Sequence, residues 1–199
     1  MYTVIGGVAS RSFRVLWMLE ELGAAYEHVP ARPHTPEVTA HSPAGKIPVL
    51  LDGDAVLTDS TAIVTYLADT HEALTYPAGS LERARQDAFS FAVLDELDSL
   101  LWTAARHSFV LPEDERVPEV KESLKAEYAR NLARLGERLA GPFVMGEMMT
   151  VPDILLTHCC NWAISARFPE PDAPLAQYLS RMRARPAFGR ARALGKPEG

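Results

Sequence analysis

The chain has 199 residues, 47% of them apolar, and a formal net charge of −6. That suffices for one large domain or two small ones with a real core, and no basic cluster offers the cationic footprint that nucleic acid requires. No apolar run reaches the length of a membrane span, MYTVIGGVASR lacks a charged-then-apolar leader, and the adjacent Cys159 and Cys160 suit neither a disulfide framework nor metal-ligand spacing. The expectation is a reduced, cytoplasmic protein that uses no metal, no membrane and no nucleic acid.

Residues 2–6, YTVIG, read as a short buried strand. A helix follows over 10–23, with Val15, Leu16, Leu19 and Leu22 at helical spacing, Ser10 or Ser12 able to cap its start and Gly23 its end. Residues 26–30, YEHVP, are a second strand candidate, so the opening is β–α–β with a right-handed crossover. A proline-rich loop with a short helix over 36–40 leads to strands IPVLLD and AVLTD, joined at Gly53-Asp54 as a hairpin. DSTAIVTYLADTH then reads as a helix with Ile63, Tyr66 and Leu67 on one face.

From Leu81 on, the pattern is helical throughout. Residues 80–109 form one long helix or two, and Pro112 and Pro118 bracket a break. Val120, Leu124, Tyr128, Leu132, Leu135 and Leu139 make one continuous apolar stripe, which Gly141-Pro142 stops. Thr150-Val-Pro-Asp153 has capping-box form and opens a buried helix, ILLTHCCNWAI, with a last helix over about 174–185. Strands confined to the first third and helices thereafter give an α+β class or two separate domains. The expected division is a first domain over 1–76, a linker over 77–83 and an all-helical domain over 84–199.

Three places could carry chemistry. In GKIPVL, Pro48 either begins a strand as an ordinary trans proline or forms a cis bond that turns the Ile47 backbone outward, where an extended peptide could pair with it. Asp59-Ser60 either caps the helix behind it or receives a ligand bearing both carboxylate and ammonium, the carboxylate at the helix N-terminus and the ammonium beside Asp59. Ser10, Arg11 and Ser12 either cap the first helix or cradle an external anion. No cysteine lies here to act as a redox nucleophile, and no His–Asp pair to activate a serine.

The order of these features resembles the glutathione S-transferase family over essentially the whole chain. GKIPVL and DSTAIVTYL carry the resemblance, supported by SRSFRVLWMLEELG and TVPDILL. The resemblance, closest to bacterial-type members with a serine at the active site, implies a thioredoxin-like βαβ-ββα domain followed by an all-helical one. It implies that Pro48 is the cis-proline, that Ile47 pairs with the cysteinyl unit of glutathione, that Ser60 and Asp59 hold its γ-glutamyl end, and that Lys46 meets its glycyl carboxylate. Ser10, spaced from Arg14 as the catalytic serine is in serine-type members, is the expected hydrogen-bond donor to the thiolate, with Ser12 its rival and Arg11 a further charge. Trp102, Arg106 and His107, with Phe109, are candidates to line the pocket of a small electrophilic second substrate; by residue type alone Trp102 reads as core and His107 as a surface or already satisfied residue. The implied activity is conjugation of glutathione, a co-substrate here, by a homodimer. A glutathione-dependent reductase and a non-catalytic scaffold are the alternatives. The isomerase signature, two serines then a cysteine before the first helix, is absent, so maleylacetoacetate isomerisation is not favoured.

Overall fold

The computed structural model describes residues 1–195 and divides the chain into two compact units, one of residues 1–78 with those from Met182 on, the other Gly79–Arg181. In the first unit, β1 (Tyr2–Ile5), β2 (Tyr26–Val29), β3 (Val49–Asp52) and β4 (Ala55–Thr58) form a sheet in the order β2-β1-β3-β4. β1 runs parallel to β2 and antiparallel to β3, and β3 pairs antiparallel with β4. This is the thioredoxin-like arrangement, and an all-helical unit follows it.

Successive strand residues face opposite sides of a sheet. Ile5 and Val49 pack with Val38, which lies on the short helix α2 (Pro36–Thr39), while the fully buried Val4 and Leu50 point the other way. Helix α1 (Ser12–Leu22) is buried along Ser12–Leu19 and ends at Gly23, whose φ of 63° is the left-handed cap conformation glycine adopts freely. It packs against α3 (Ser60–Thr70) and against the last helix, α9 (Pro186–Ala193).

The helical unit begins with α4 (Leu81–Val93), capped by the Ser80 hydroxyl, which accepts the Arg83 N–H at 3.1 Å. The course continues to Val110 through a wide π-type turn at Leu94–Asp98, α5 (Ser99–Ala105) and a second such turn at Arg106–Val110. Helix α6 (Val120–Gly136) buries Leu124, Tyr128, Leu132 and Leu135 of the stripe expected from the sequence, while Val120 and Leu139 are half-buried. Helix α7 (Val151–Ser165) carries the capping box: Asp153 accepts from the Thr150 N–H at 2.8 Å, and the Thr150 side chain accepts the Asp153 N–H in return. Helix α8 (Ala173–Arg183) follows.

Most element ends fall within a residue or two of the sequence reading, and the larger departures are these. The third strand starts at Val49 rather than Ile47, because Ile47 and Pro48 form a cis peptide bond and drop out of the ladder. Helix α6 stops at Gly136, three residues before Leu139. Helix α9 is additional. Its sequence, PAFGRARA, has too little apolar periodicity to announce a helix, and its burial of Ala187, Phe188 and Ala191 depends on a partner far away in the chain.

Candidate functional site

The sheet register assembles the site. Ile5 pairs with Val49, and Val49 with Thr58, so all three strands stop or start at one end of the sheet. The next residues, Gly6, Pro48 and Asp59, therefore emerge side by side.

Gly6 opens the loop to α1. Its N–H donates to Val29 O at 3.0 Å, and its carbonyl accepts from His28 Nε2 at 2.8 Å. Its φ is 144°, and a Cβ placed on it would lie 2.1 Å from Ser12 Oγ and 3.1 Å from Ile47 Cβ. Only glycine lets the three segments approach so closely. Ser12, the first residue of α1, is fully buried, whereas Ser10 is half-buried. The Ser10 hydroxyl donates to Gly7 O at 2.6 Å, accepts the Ser12 N–H at 3.1 Å and lies 3.0 Å from Ser12 Oγ. Arg11 stands at the helix N-cap with helical backbone angles and no capping bond from its side chain, so Ser10 performs that task from one residue earlier.

At the second strand end, Pro48 is buried and Ile47 half-buried. Among the described residues neither the N–H nor the C=O of Ile47 has a backbone partner. Backbone groups with restricted access to water normally find one, so this pair is available to a ligand. Lys46, just before it, is exposed.

At the third, Asp59 caps α3: its Oδ1 accepts the N–H groups of Thr61 at 2.8 Å and Ala62 at 3.0 Å. Its φ of 69° is left-handed, an uncommon and costly state for a residue other than glycine. Ser60 is buried, and its hydroxyl accepts from Arg14 Nη1 at 3.2 Å. Arg14 is itself buried on α1 and ties the helix of the serine loop to the helix of Asp59. By sequence alone Arg14 is only a spacing mark for Ser10. The available signal was a cation inside the apolar run FRVLWML, since arginine is almost never fully buried without a partner.

The structure thus gathers Ser10, Arg11, Ser12, Ile47, Pro48, Asp59 and Ser60 at one sheet end, with Lys46 beside them. Trp102, Arg106 and His107 lie in the helical unit, on α5 and the wide turn after it. Trp102 is half-buried, Arg106 exposed, and His107 receives the Val117 N–H on Nδ1 at 3.1 Å, a bond that fixes the chain after the break. Cys159 and Cys160 are buried in α7.

The N-terminal domain model of glutathione S-transferases matches residues 10–70, the stretch that runs from Ser10 through Ile47 and Pro48 to Asp59 and Ser60. A zeta-class glutathione S-transferase of Euphorbia esula is 31% identical over 174 residues, covering 79% of this chain and 73% of that protein. The chain belongs to the glutathione S-transferase family. The maleylacetoacetate isomerase of Rhizobium meliloti (strain 1021) is 42% identical over 92 residues, 43% of each chain. Among solved structures, the theta-class glutathione S-transferase of Xanthomonas axonopodis pv. citri with glutathione bound superposes with a TM-score of 0.78 at 29% identity, over 96% of both chains.

Proposed function

We propose that this transferase binds glutathione at the sheet end and conjugates its thiolate to a small electrophile, with Ser10 as the hydrogen-bond donor to sulfur. The observation that carries the reading is the unpaired Ile47 backbone, set by the strand register between the serine loop and the strained Asp59 cap. An extended peptide has one N–H and one C=O to offer such an edge. In this reading Ile47 pairs with the cysteinyl unit, Ser60 and the α3 N-terminus take the γ-glutamyl carboxylate, Asp59 takes its ammonium, and Lys46 takes the glycyl carboxylate.

Ser10 is preferred to Ser12 because it is half-exposed, whereas Ser12 is wedged against Gly6. A hydroxyl has one proton to donate. Ser10 would release Gly7 O and turn to the sulfur, exchanging a neutral bond for a charge-assisted one. A free thiol has a pKa near 8.5. A bond to a charged group contributes about 1.5–3 kcal/mol and a helix N-terminus about 0.3–1 kcal/mol. At about 1.4 kcal/mol per pKa unit, the two lower the thiol by about one to three units. The thiol proton leaves to solvent, sulfur bonds to the electrophilic carbon, and the leaving group departs with the displaced electron pair. The second substrate would lie over Trp102, Arg106 and His107, and the reading extends to a cytoplasmic homodimer.

Calorimetric titration with glutathione, together with ultraviolet titration of the bound thiol, tests this. Wild type should bind with a lowered thiol pKa, and Ser10→Ala should raise it by about one to two units. A bound thiol that titrates at its free value in wild type refutes the thiolate role.

The match to an isomerase favours one second reading, in which the thiolate adds to a conjugated double bond and leaves after rotation. Ser10-Arg11-Ser12 in place of two serines and a cysteine speaks against it. Stoichiometry decides: conjugation consumes one glutathione per turnover, and isomerisation consumes none.

A further inference from the structure

The serine loop is held from a second direction, by the C-terminal end of the chain. Phe188 of α9 stands edge-on to Phe13 and to Trp17, with ring centroids 5.2 and 5.0 Å apart. Arg185, just before α9, grips Glu21 with both ends of its fork, Nε to Oε1 at 2.6 Å and Nη2 to Oε2 at 2.7 Å. The same Glu21 Oε1 accepts the Trp17 indole N–H at 2.8 Å. Arg190 Nη2 reaches Glu20 O at 3.0 Å, and the Glu20 carboxylate also takes the Tyr26 hydroxyl at 2.6 Å. Beyond α9, Gly195 sits so close to Val8 that a Cβ on it would stand 3.1 Å from Val8 Cβ and Cγ1. Val8 lies in the loop itself, two residues before Ser10, and Phe13 follows Ser12 in the first turn of α1.

We propose that residues 185–195 form a strap that positions the loop from Gly6 to Arg11 and the first turn of α1, and so sets where Ser10 presents its hydroxyl. Phe188, Arg185 and Gly195 are positioning residues. The functional half of this inference rests on the glutathione reading above. Loops open more readily than the elements they join, and Ser10 lies in such a loop, bonded to Gly7 and Ser12. The strap adds contacts from more than 160 positions away, the Arg185–Glu21 separation being 164. Two of its contacts bracket the serine, Gly195 on Val8 and Phe188 on Phe13. A bidentate arginine–carboxylate pair resists rotation as well as separation, so α1 is fixed about its own axis. Small misplacements of a reacting group are costly, about 100-fold in rate for 1 Å.

The test uses the full chain with Phe188→Leu, Arg185→Gln and Gly195→Val, the last of which removes no hydrogen bond. Tyr178→Phe, which loses the 2.9 Å bond to Asp153 in the helical unit, serves as a control for destabilisation alone. Amide hydrogen exchange is followed over residues 6–14 and 60–70, alongside glutathione binding and the pKa of the bound thiol. The strap predicts that exchange over 6–14 rises about tenfold in the three strap variants, with 60–70 little changed. It also predicts that glutathione affinity falls and the bound-thiol pKa moves back towards its free value. Tyr178→Phe should leave all of these at wild-type values below its melting temperature. Unchanged exchange over 6–14 overturns the strap whatever glutathione does. A loosened loop with wild-type binding and thiol pKa overturns its positioning role. Failure of wild type to bind glutathione refutes the functional reading instead, and the exchange data then decide the strap alone.

Discussion

Asp59 joins two demands that a single substitution can separate. Its carboxylate caps α3, while its backbone sits at a φ of 69°. Replacing a capping aspartate by alanine costs about 0.5–2 kcal/mol, and by glycine only a few tenths. Alanine would also inherit the left-handed strain, which glycine would shed. Asparagine caps well and tolerates positive φ. Chemical denaturation should therefore rank Asp59→Asn and Asp59→Gly close to wild type and Asp59→Ala about 1–3 kcal/mol below it. Glutathione binding should follow a different order, with Asp59→Gly and Asp59→Asn both weakened by loss of the charge that meets an ammonium. A variant that is stable but fails to bind assigns the aspartate to the ligand; equal binding in all three leaves it a cap.

The start of α7 shows how one side chain can govern an element. Asp153 is buried and accepts four donors: the Val144 and Thr150 N–H groups at 2.8 Å each, the Thr150 hydroxyl at 3.2 Å and the Tyr178 hydroxyl at 2.9 Å. Burial raises its carboxyl above the ordinary carboxylate value, and these bonds oppose the rise. Asp153→Ala would strand several buried donors, each costing about 1–3 kcal/mol. The expected outcome is a loss of about 3–5 kcal/mol, with part of it recovered in Asp153→Asn. Urea unfolding followed through Trp162 on α7 would report it, and a loss under about 1 kcal/mol would remove the cap from this role.

For the molecule as a whole, the clearest pH signature lies in the alkaline range. Burial raises the phenols of Tyr26, Tyr128 and Tyr178 above the usual 10; the bond to Glu20 adds to it for Tyr26, and the negative charge of Asp153 for Tyr178. Folding therefore favours the protonated phenols. Their contribution to stability is complete below pH 10 and is lost as pH climbs above it. The melting temperature should fall steeply above about pH 10, and the three phenols should ionise together with unfolding rather than before it. Free ionisation of all tyrosines near 10 in the folded state would contradict this. The two compact units also leave room for two transitions, and the pH at which each moves would show which phenols it contains.

Much was determined by the sequence itself. Local period and punctuation located every strand, the α6 stripe and the α7 cap, because those signals lie within a turn or two of the residues they shape. The stretches around Pro48 and Asp59 pointed to the candidate site through family resemblance, although their local chemistry allowed a plain strand start and a plain cap. What only tertiary structure decided was everything that depends on residues distant in the chain meeting in space. The register that sets Gly6, Pro48 and Asp59 side by side is a property of three paired strands. Arg14 gained its meaning from Ser60, 46 residues away. Helix α9, nearly silent in its own sequence, is helical because Phe188, Arg185 and Arg190 find α1, and long-range burial of this kind outweighs local propensity.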